Sequence, residues 1–441
     1  MMPPISKASS GRLASSCVPA GVSALVFFAF ALHVAPLSAQ GPPAAPLGAT
    51  LSGLLSYARE HNPELGVRKY ETEAARERVE PAAALPDPRF ELELMDFTNT
   101  VNSGRSPSLL PGQVGNTRYR VVQPLPFWGK RGLRGEVAEA QAEQVETLQQ
   151  GTALEVENRI KTAYARQFQA SGQIAILRET LSLFDAIEQL VLTRYGVGLV
   201  PQQDALRAQS ELTSVKIDLV EAQRRQRDNA AKLNALLARD GNAPLSDPGY
   251  LPSAPSEVSY QSLLEQIRTR SPEVSRERFG VVAAEKNRDL TWLNRYPDFA
   301  VGLTNNRPYN AADNWELMVG VTIPLQQSSR RAQEREAERK LDAAQTRVLA
   351  AETRLAGRLG ETLAAFEASR DKARLLKGTL LPQATATFKA AQSGYESGRV
   401  NFNTLLDAER QVLRARLALL DADVESAVRL AELEFLAGAP L

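Results

Sequence analysis

The chain has 441 residues, and its 52 Lys and Arg residues nearly balance its 51 Asp and Glu residues, which leaves a formal net charge of +1. This balance gives no support to a nucleic-acid partner, which would require a basic surface. Aromatic residues form only 6% of the chain, whereas Ala, Leu, Glu, Gln and Arg dominate. Such a composition is typical of long helices that pack through small side chains, and it argues against a compact enzyme.

The first 39 residues have the features of an export signal. Lys7 and Arg12 supply the positive charge that precedes an apolar run at residues 20–35. That run is short for a membrane span, and the small residues at positions 37–39 predict cleavage before Gln40. The alternative is an anchor helix that is not cleaved.

The mature chain would contain no cysteine and one histidine. The only cysteine, Cys17, precedes the apolar run, so we expect no lipid anchor at the mature N-terminus. These counts exclude disulfides, thiolate chemistry and Cys/His zinc sites, and we expect no cofactor. A catalytic triad would need His61 as its base, but His61 lies between two helical segments, where a capping or solvated role is favoured.

Residues 50–130 change from a helical pattern to a strand pattern. Helices are predicted over residues 50–61 and 63–84, with Asn62 as N-cap of the second and Pro63 at its first position. The hydrophobic period then falls to about 2 residues, as in a half-buried strand. The alternation is Phe90, Leu92 and Leu94 against Glu91 and Glu93, and a second strand at residues 119–123 follows a polar loop.

A helix of about 60 residues follows Pro126, because no further proline occurs before Pro201, and it would be roughly 90 Å long. Its apolar stripe is Val145, Leu148, Val156, Ile160 and Ala163. This length favours a coiled assembly over a globular domain. A second helix returns to about Arg239, and a linker rich in Pro, Gly and Ser occupies residues 241–256.

The second half of the chain repeats this order, so residues 40–240 and 257–441 are predicted to be two structural repeats. Alternating apolar residues at 299–303 and 315–323 predict two more strands. The next long helix carries the stripe Leu341, Ala344, Val348, Ala351, Leu355 and Leu359. Pro382 is predicted to kink this helix near its end.

Both helical hairpins turn at the same short sequence. The first turn is Tyr195-Gly196-Val197-Gly198-Leu199-Val200, and the second is Tyr395-Glu396-Ser397-Gly398-Arg399-Val400. The shared glycine gives the backbone freedom that a tight turn needs. The returning helices keep one register, with Ala205, Ala208, Leu212, Val215, Leu219 and Ala222 matching Leu405, Ala408, Val412, Ala415, Leu419 and Ala422. This stripe predicts coiled-coil contact.

Four strands of about nine to eleven residues with one apolar face could span a bilayer. Lipid cannot satisfy the open edges of such a sheet, so other copies would have to close it. Two copies would give eight strands and three would give twelve, and the sequence does not choose between them. A soluble sandwich with Trp315 and Phe299 in its core is the alternative.

The whole layout resembles the TolC family of outer-membrane efflux channels. The resemblance covers nearly all of the mature chain and rests on features in this order: Asn62-Pro63-Glu64, Pro86-Asp87-Pro88, Gln123-Pro124-Leu125-Pro126 and the two Tyr-x-x-Gly turns. The run Pro126-Phe127-Trp128-Gly129-Lys130-Arg131 is similar to the heavy-metal branch of the family.

The resemblance implies a mainly α fold with a small membrane β-barrel, completed by a homotrimer with four strands per chain. A long α-helical barrel would continue this β-barrel from the outer-membrane lipid into the periplasm of a Gram-negative bacterium. A periplasmic adaptor would join the channel to an inner-membrane pump of the resistance-nodulation-division class. The channel itself would have no enzymatic activity, and its cargo could be metal cations.

The resemblance also implies two sets of site residues. Adaptor docking falls on the two turns, at Tyr195, Gly198, Leu199 and Val200 and at Tyr395, Gly398, Arg399 and Val400. The pore aperture falls on Asp204, Thr404 and Asp407, where Thr404 departs from the acidic pattern of the family. A favourable charge at a helix N-terminus is an equally good explanation of both aspartates.

Two other classes of protein fit parts of the pattern. A periplasmic adaptor also has long helical hairpins, but the full duplication and the lack of Gly-rich β modules count against it. A soluble coiled-coil scaffold would need no membrane strands. An enzyme is the least favoured, because the residues that it would require are largely missing.

Overall fold

The computed structural model describes residues 47–101, 106–252, 258–309 and 311–441, so the predicted signal peptide at residues 1–39 lies outside the described residues. The helices are α1 (Leu51–His61), α2 (Pro63–Arg76), α3 (Val79–Ala83), α4 (Lys130–Gly196), α5 (Gln202–Leu236), α6 (Tyr260–Arg270), α7 (Pro272–Leu293), α8 (Gln327–Leu375), α9 (Leu381–Glu396) and α10 (Phe402–Ala437). The strands are β1 (Arg89–Met95), β2 (Asn116–Leu125), β3 (Asp298–Pro308) and β4 (Asn314–Thr322). The predicted order of elements is confirmed.

The helix α2 begins as its sequence predicts. The Asn62 side chain accepts a hydrogen bond from the Glu64 amide at 2.8 Å, and Pro63 occupies the first turn. The amide group of Asn62 also donates to the carbonyl oxygen of Leu236 at 2.8 Å, which ties α2 to the end of α5. In the second repeat Ser271 takes the same place before Pro272 but makes no capping hydrogen bond through its side chain.

The four strands form one antiparallel sheet in the order β1-β2-β3-β4, in which β2 and β3 join the two repeats. One face carries cross-strand rows of apolar residues, such as Phe90, Val121, Leu303 and Leu317, all of which are exposed in the single chain. The other face is polar, because successive side chains in a strand alternate between the two faces. There Arg118 pairs with Glu93 at 3.0 Å.

A buried lysine joins the sheet to the helices. The Lys130 ammonium, at the start of α4, donates to the Asp298 carboxylate at 2.8 Å and to the Tyr296 carbonyl oxygen at 3.1 Å. The same carboxylate oxygen accepts the Phe127 amide at 2.8 Å. The rings of Phe127 and Tyr296 stack with centroids 4.5 Å apart. These contacts fix the first repeat to the second where each strand pair meets its helices.

The long helices dominate the structure. The 67 residues of α4 correspond to about 100 Å of helix. A kink was predicted at Pro382, and just before it the structure has a π-helical turn at Leu376–Leu380 between α8 and α9, in which the Leu381 amide donates to the Leu376 carbonyl oxygen. A proline ring clashes with the carbonyl four residues earlier in an α-helix, and the wider turn relieves that clash.

The predicted stripes are buried over most of their length. In α5 and α10 every stripe position is buried except Leu219 and Leu419, which are half-buried. In α4 only Val156 and Ile160 of the five predicted residues are fully buried, because α5, α7 and α10 all pack on this helix and spread the contact around it. Within the described ranges, no helix is both long enough and apolar enough to cross a membrane.

Candidate functional site

The two hairpin turns have the same backbone geometry. Gly198 and Gly398 adopt the left-handed conformation, with φ angles of 76° and 73°. In the first turn the Gly198 amide donates to the Tyr195 carbonyl at 2.9 Å, and the Leu199 amide donates to the Arg194 carbonyl at 2.8 Å. The second turn repeats both hydrogen bonds 200 residues later. This Schellman pattern satisfies the last carbonyls of each helix and requires a residue that tolerates positive φ.

An arginine ties the first turn to the second. The Arg194 guanidinium donates to the carbonyl oxygens of Tyr395 at 2.8 Å and Glu396 at 2.5 Å. Its carbon also lies 5.0 Å from the centre of the Tyr395 ring, within cation–π range. The last backbone carbonyl groups of α9 therefore accept hydrogen bonds from a charged side chain of α4. The second repeat has Gly394 at the position equivalent to Arg194, so it has no side chain there that could make the equivalent contact.

The two tyrosines that head the turns have different surroundings. Tyr395 is buried and packs on Phe402 with ring centroids 5.8 Å apart, whereas Tyr195 is exposed. Burial raises the pKa of the Tyr395 phenol, and the Asp204 charge adds to this effect while Arg194 opposes it. The Tyr395 hydroxyl has no hydrogen-bond partner within the described part of the chain. Tyr395 is therefore part of the hairpin core.

The tips of the turns differ in polarity. The first exposes the apolar side chains of Val197 and Leu199. The second exposes Ser397 and Arg399 at the equivalent positions, and the Arg399 guanidinium donates to the Ser397 hydroxyl at 2.9 Å. One chain thus presents one apolar tip and one polar tip side by side.

Two of the predicted aperture residues lie in the first turns of their helices. Asp204 is half-buried in the first turn of α5, where a carboxylate is favourable. Thr404 is exposed, and both its amide and its hydroxyl donate to the Asn401 side chain at 2.9 Å. Thr404 therefore takes part in the cap of α10.

The third predicted aperture residue, Asp407, has an exposed carboxylate that pairs with Arg410 at 3.4 Å. The same arginine pairs with Glu211 on α5. The result is a charged row from α5 to α10 just above the turns. Arg194 and Arg410 were not predicted as site residues. Both lie at positions where the two repeats differ in sequence, and that difference is the signal that could have identified them.

No group of three or more His, Cys, Asp or Glu side chains within residues 47–101, 106–252, 258–309 and 311–441 could hold a metal ion. His61 stacks on Tyr57 with ring centroids 4.2 Å apart, and its Nδ1 lies 2.9 Å from the Tyr57 carbonyl oxygen. His61 therefore closes the last turn of α1, in agreement with a capping or solvated role.

Known proteins match this chain over most of its length. Two curated relatives are the cobalt-zinc-cadmium resistance protein CzcC of Cupriavidus metallidurans, 25% identical over 88% of each chain, and the nickel-cobalt-cadmium resistance protein NccC of Alcaligenes xylosoxydans xylosoxydans, 27% identical over 80% of this chain and 74% of NccC.

Solved structures share the fold. The channel CusC matches with a TM-score of 0.72 and 20% identity over 88% of this chain and 92% of CusC. The outer membrane protein VceC of Vibrio cholerae matches with a TM-score of 0.75 and 17% identity over 88% of this chain and 96% of VceC.

A family model described as "Outer membrane efflux protein" matches residues 54–239 and 263–439, which together make up most of the chain. The resemblance to TolC-type channels found in the sequence is thereby confirmed. The chain belongs to the outer membrane efflux protein family, and it is an outer-membrane efflux channel that extends into the periplasm.

Proposed function

We propose that three copies of this chain form the outer-membrane conduit of a tripartite efflux system. The observation that carries the proposal is a four-stranded sheet with an exposed apolar face, joined directly to a helix about 100 Å long. The strands β1 and β4 lie at the ends of the sheet and need partners, since lipid cannot satisfy their backbone groups. Four strands from each of three copies would close a twelve-stranded barrel.

In this proposal the chain catalyses no reaction and acts as a passive conduit. A pump of the resistance-nodulation-division class in the inner membrane drives export, and a periplasmic adaptor joins that pump to the channel. The signal at residues 1–39 is removed on export. The repeats at residues 40–240 and 257–441, separated by the linker 241–256, then supply the two hairpins of each copy.

The adaptor docks on the two turns. The residues proposed for docking are Tyr195, Gly198, Leu199 and Val200 in the first turn and Gly398, Arg399 and Val400 in the second. Tyr395, which is buried, supports the second turn from the hairpin core. The exposed apolar tip supports docking, because Val197 and Leu199 leave apolar surface in water. The matching backbone geometry of the two turns supports a partner that meets both of them.

The aperture of the pore is formed by the first turns of α5 and α10, with Asp204, Thr404 and Asp407 nearest to it. The exposed carboxylate of Asp407 supports a ring of three such groups in the trimer. Since Thr404 is uncharged and takes part in a cap, it adds no second ring.

The proposed cargo is divalent metal cations. The names of CzcC and NccC assign those relatives to resistance against cobalt, zinc, cadmium and nickel. Within the described residues no group of three or more His, Cys, Asp or Glu side chains could hold a metal ion. In this proposal the pump selects among the metals.

The proposal is tested by deleting the gene that encodes this chain from its host. Deletion should lower the tolerated concentrations of cobalt, zinc or cadmium and raise their cellular content, and the wild-type chain should restore both. Unchanged tolerance of all these metals would contradict the proposed cargo. The conduit would then serve another class of substrate.

A further inference from the structure

Two long helices of one chain, α4 and α10, join its two hairpins. In α10 the side chain of Leu420 lies against Gly172 of α4, where a Cβ atom would come within 2.9 Å of it. Nearer the turns, Arg416 of α10 pairs with Glu179 of α4 at 2.8 Å. We call this contact between α4 and α10 the hairpin seam, and all of its residues belong to the same chain.

The face of α10 that lies in the hairpin seam carries one acidic residue. Residues on one face of a helix follow each other at spacings of three and four. Here they are Leu406, Glu409, Leu413, Arg416 and Leu420. Leu406 is 5% exposed and Glu409 only 3%, and Leu413 packs against the hairpin core. The carboxyl group of Glu409 is therefore enclosed by an apolar part of the seam.

The helix α4 places an apolar side chain opposite this carboxyl group. Leu420 meets Gly172, and the chain approaches the turns along α4 and leaves them along α10. Glu409 and Leu183 each lie eleven residues nearer the turns, which is about three turns of helix. Leu183 also packs against the hairpin core. Because a charge at this place loses its hydration, the neutral form of Glu409 is the one that fits the closed seam.

The charges around the seam do not cancel this effect. Burial raises the pKa of the Glu409 carboxyl to about 7, Arg416 opposes the shift and Glu179 reinforces it. Arg416 and Glu179 are already paired with each other. The other charged residues of α9, and of α4 between Leu183 and Leu190, are at least partly exposed: Asp185, Glu188, Lys389 and Glu396. Glu409 therefore gains or loses its proton near neutral pH.

The first repeat has an uncharged residue at the equivalent position. Gln209 is the counterpart of Glu409 and is exposed on α5. An amide of nearly the same size thus occupies this place in a hairpin whose turn has the same backbone geometry. The hairpin itself does not require an acidic side chain here, so the particular property of Glu409 is the proton that it can exchange.

We propose that Glu409 is a proton-controlled latch between the two hairpins of one chain. Its neutral form keeps α10 packed against α4. Loss of the proton favours an open seam in which water reaches the carboxylate, and the two tips then move apart. The inference rests on the proposed conduit, whose aperture opens more readily at neutral pH than at mildly acidic pH.

Labelling of a thiol inside the seam measures this opening. In a Cys17→Ser background, Leu183→Cys is made alone and together with Glu409→Gln, and both native proteins are treated with a small maleimide. The ratio of the two labelling rates cancels the ionisation of the thiol itself. This ratio should rise about tenfold from pH 6 to pH 8, as expected for a carboxyl with a pKa of about 7 in the closed seam and 4.5 in water. A ratio that does not change with pH would overturn the latch.

A swapped variant is the matched control. Glu409→Gln combined with Gln209→Glu keeps the composition and charge of the chain but moves the carboxyl group to the exposed position on α5. In the Leu183→Cys protein this combination should label like Glu409→Gln alone at every pH. Recovery of the pH dependence would show that burial in the seam is not its source, and it would overturn the inference.

Conductance in planar bilayers links the seam to the aperture. The open probability of the wild-type channel should rise between pH 6 and pH 8, whereas Glu409→Gln should stay at the value measured at pH 6. Labelling that follows pH without a change in open probability would overturn the link to the aperture. A protein that forms no channel at any pH would instead overturn the proposed function.

Discussion

The Arg194 guanidinium holds the carbonyl oxygen of Tyr395 at 2.8 Å and also lies over the ring of the same residue. These two residues are 201 positions apart in the sequence, at the ends of α4 and α9. One side chain therefore couples the two hairpins of the chain at the turns that we propose as the adaptor-docking and aperture region.

Replacing Arg194 should loosen this coupling. Arg194→Ala loses two hydrogen bonds from a charged donor, each worth about 1.5–3 kcal/mol. We expect a lower melting temperature and larger, more variable single-channel conductance in planar bilayers. Arg194→Lys keeps the charge but loses the fork that reaches two carbonyls, so its effect should be intermediate. Conductance and melting temperature like those of the wild type would contradict the coupling.

The turn glycines should matter for export more than for assembly. A bulky residue such as Leu at Gly198 or Gly398 has open space around it but must adopt positive φ, at a cost of about 1–2 kcal/mol. We expect Gly198→Leu and Gly398→Leu to abolish export while the trimer still forms, as measured by native mass and metal tolerance.

An asparagine variant distinguishes the effect of backbone strain from the effect of side-chain bulk at these turns. Gly198→Asn tolerates the left-handed conformation at lower cost, so it should assemble normally and retain more export than Gly198→Leu. If the leucine variants fail to assemble, the glycines only shape the fold.

Asp407 should influence ions at the aperture. Asp407→Ala removes an exposed carboxylate, and three copies would lose three charges. We expect altered single-channel conductance or weaker block by multivalent cations. Thr404→Ala, which removes an uncharged side chain one turn earlier, should leave cation block unchanged. If Asp407→Ala also has no effect, the role of Asp407 is limited to its pair with Arg410.

Glu409 should make stability depend on pH. This α10 residue is buried, and burial raises the pKa of its carboxyl to about 7, an effect that Arg416 opposes and Glu179 reinforces. The native state therefore keeps the proton at pH values where the unfolded chain, with a pKa near 4.5, has lost it. Stability falls as pH rises from 4.5 to 7, by at most about 3 kcal/mol.

The Glu409→Gln variant tests this dependence. It should melt at a higher temperature than the wild type at pH 8 and at nearly the same temperature at pH 4.5. Asp407→Asn, which changes an exposed carboxylate two residues away, is the control and should show no such difference. An equal gain at both pH values would assign the effect of Glu409→Gln to packing instead of charge.

The sequence predicted the repeat, the strands and the turns because each depends on local periodicity. The apolar face of the sheet, which contains Phe90, and the polar face, which contains Glu91, follow directly from the alternation of side chains along a strand. It also predicted a kink at Pro382, but it did not predict the π-helical turn at Leu376–Leu380, since several backbone arrangements relieve the same clash.

Contacts between the hairpins could not be predicted from periodicity. Arg194 and Arg410 lie in helical patterns that are satisfied without them, and their partners are about 200 residues away in sequence. The burial of Tyr395 and exposure of Tyr195 could not be predicted either, because both stand in the same local sequence. Only the packing of one hairpin on the other distinguishes them.

We propose above that this chain forms a threefold hollow conduit. The most direct measurement is single-particle electron microscopy of the mature protein extracted in detergent. We expect a hollow cylinder with threefold symmetry, more than about 100 Å long, as helices of this length require. A compact particle or a solid rod without a barrel would contradict the account and return the chain to the adaptor or scaffold class.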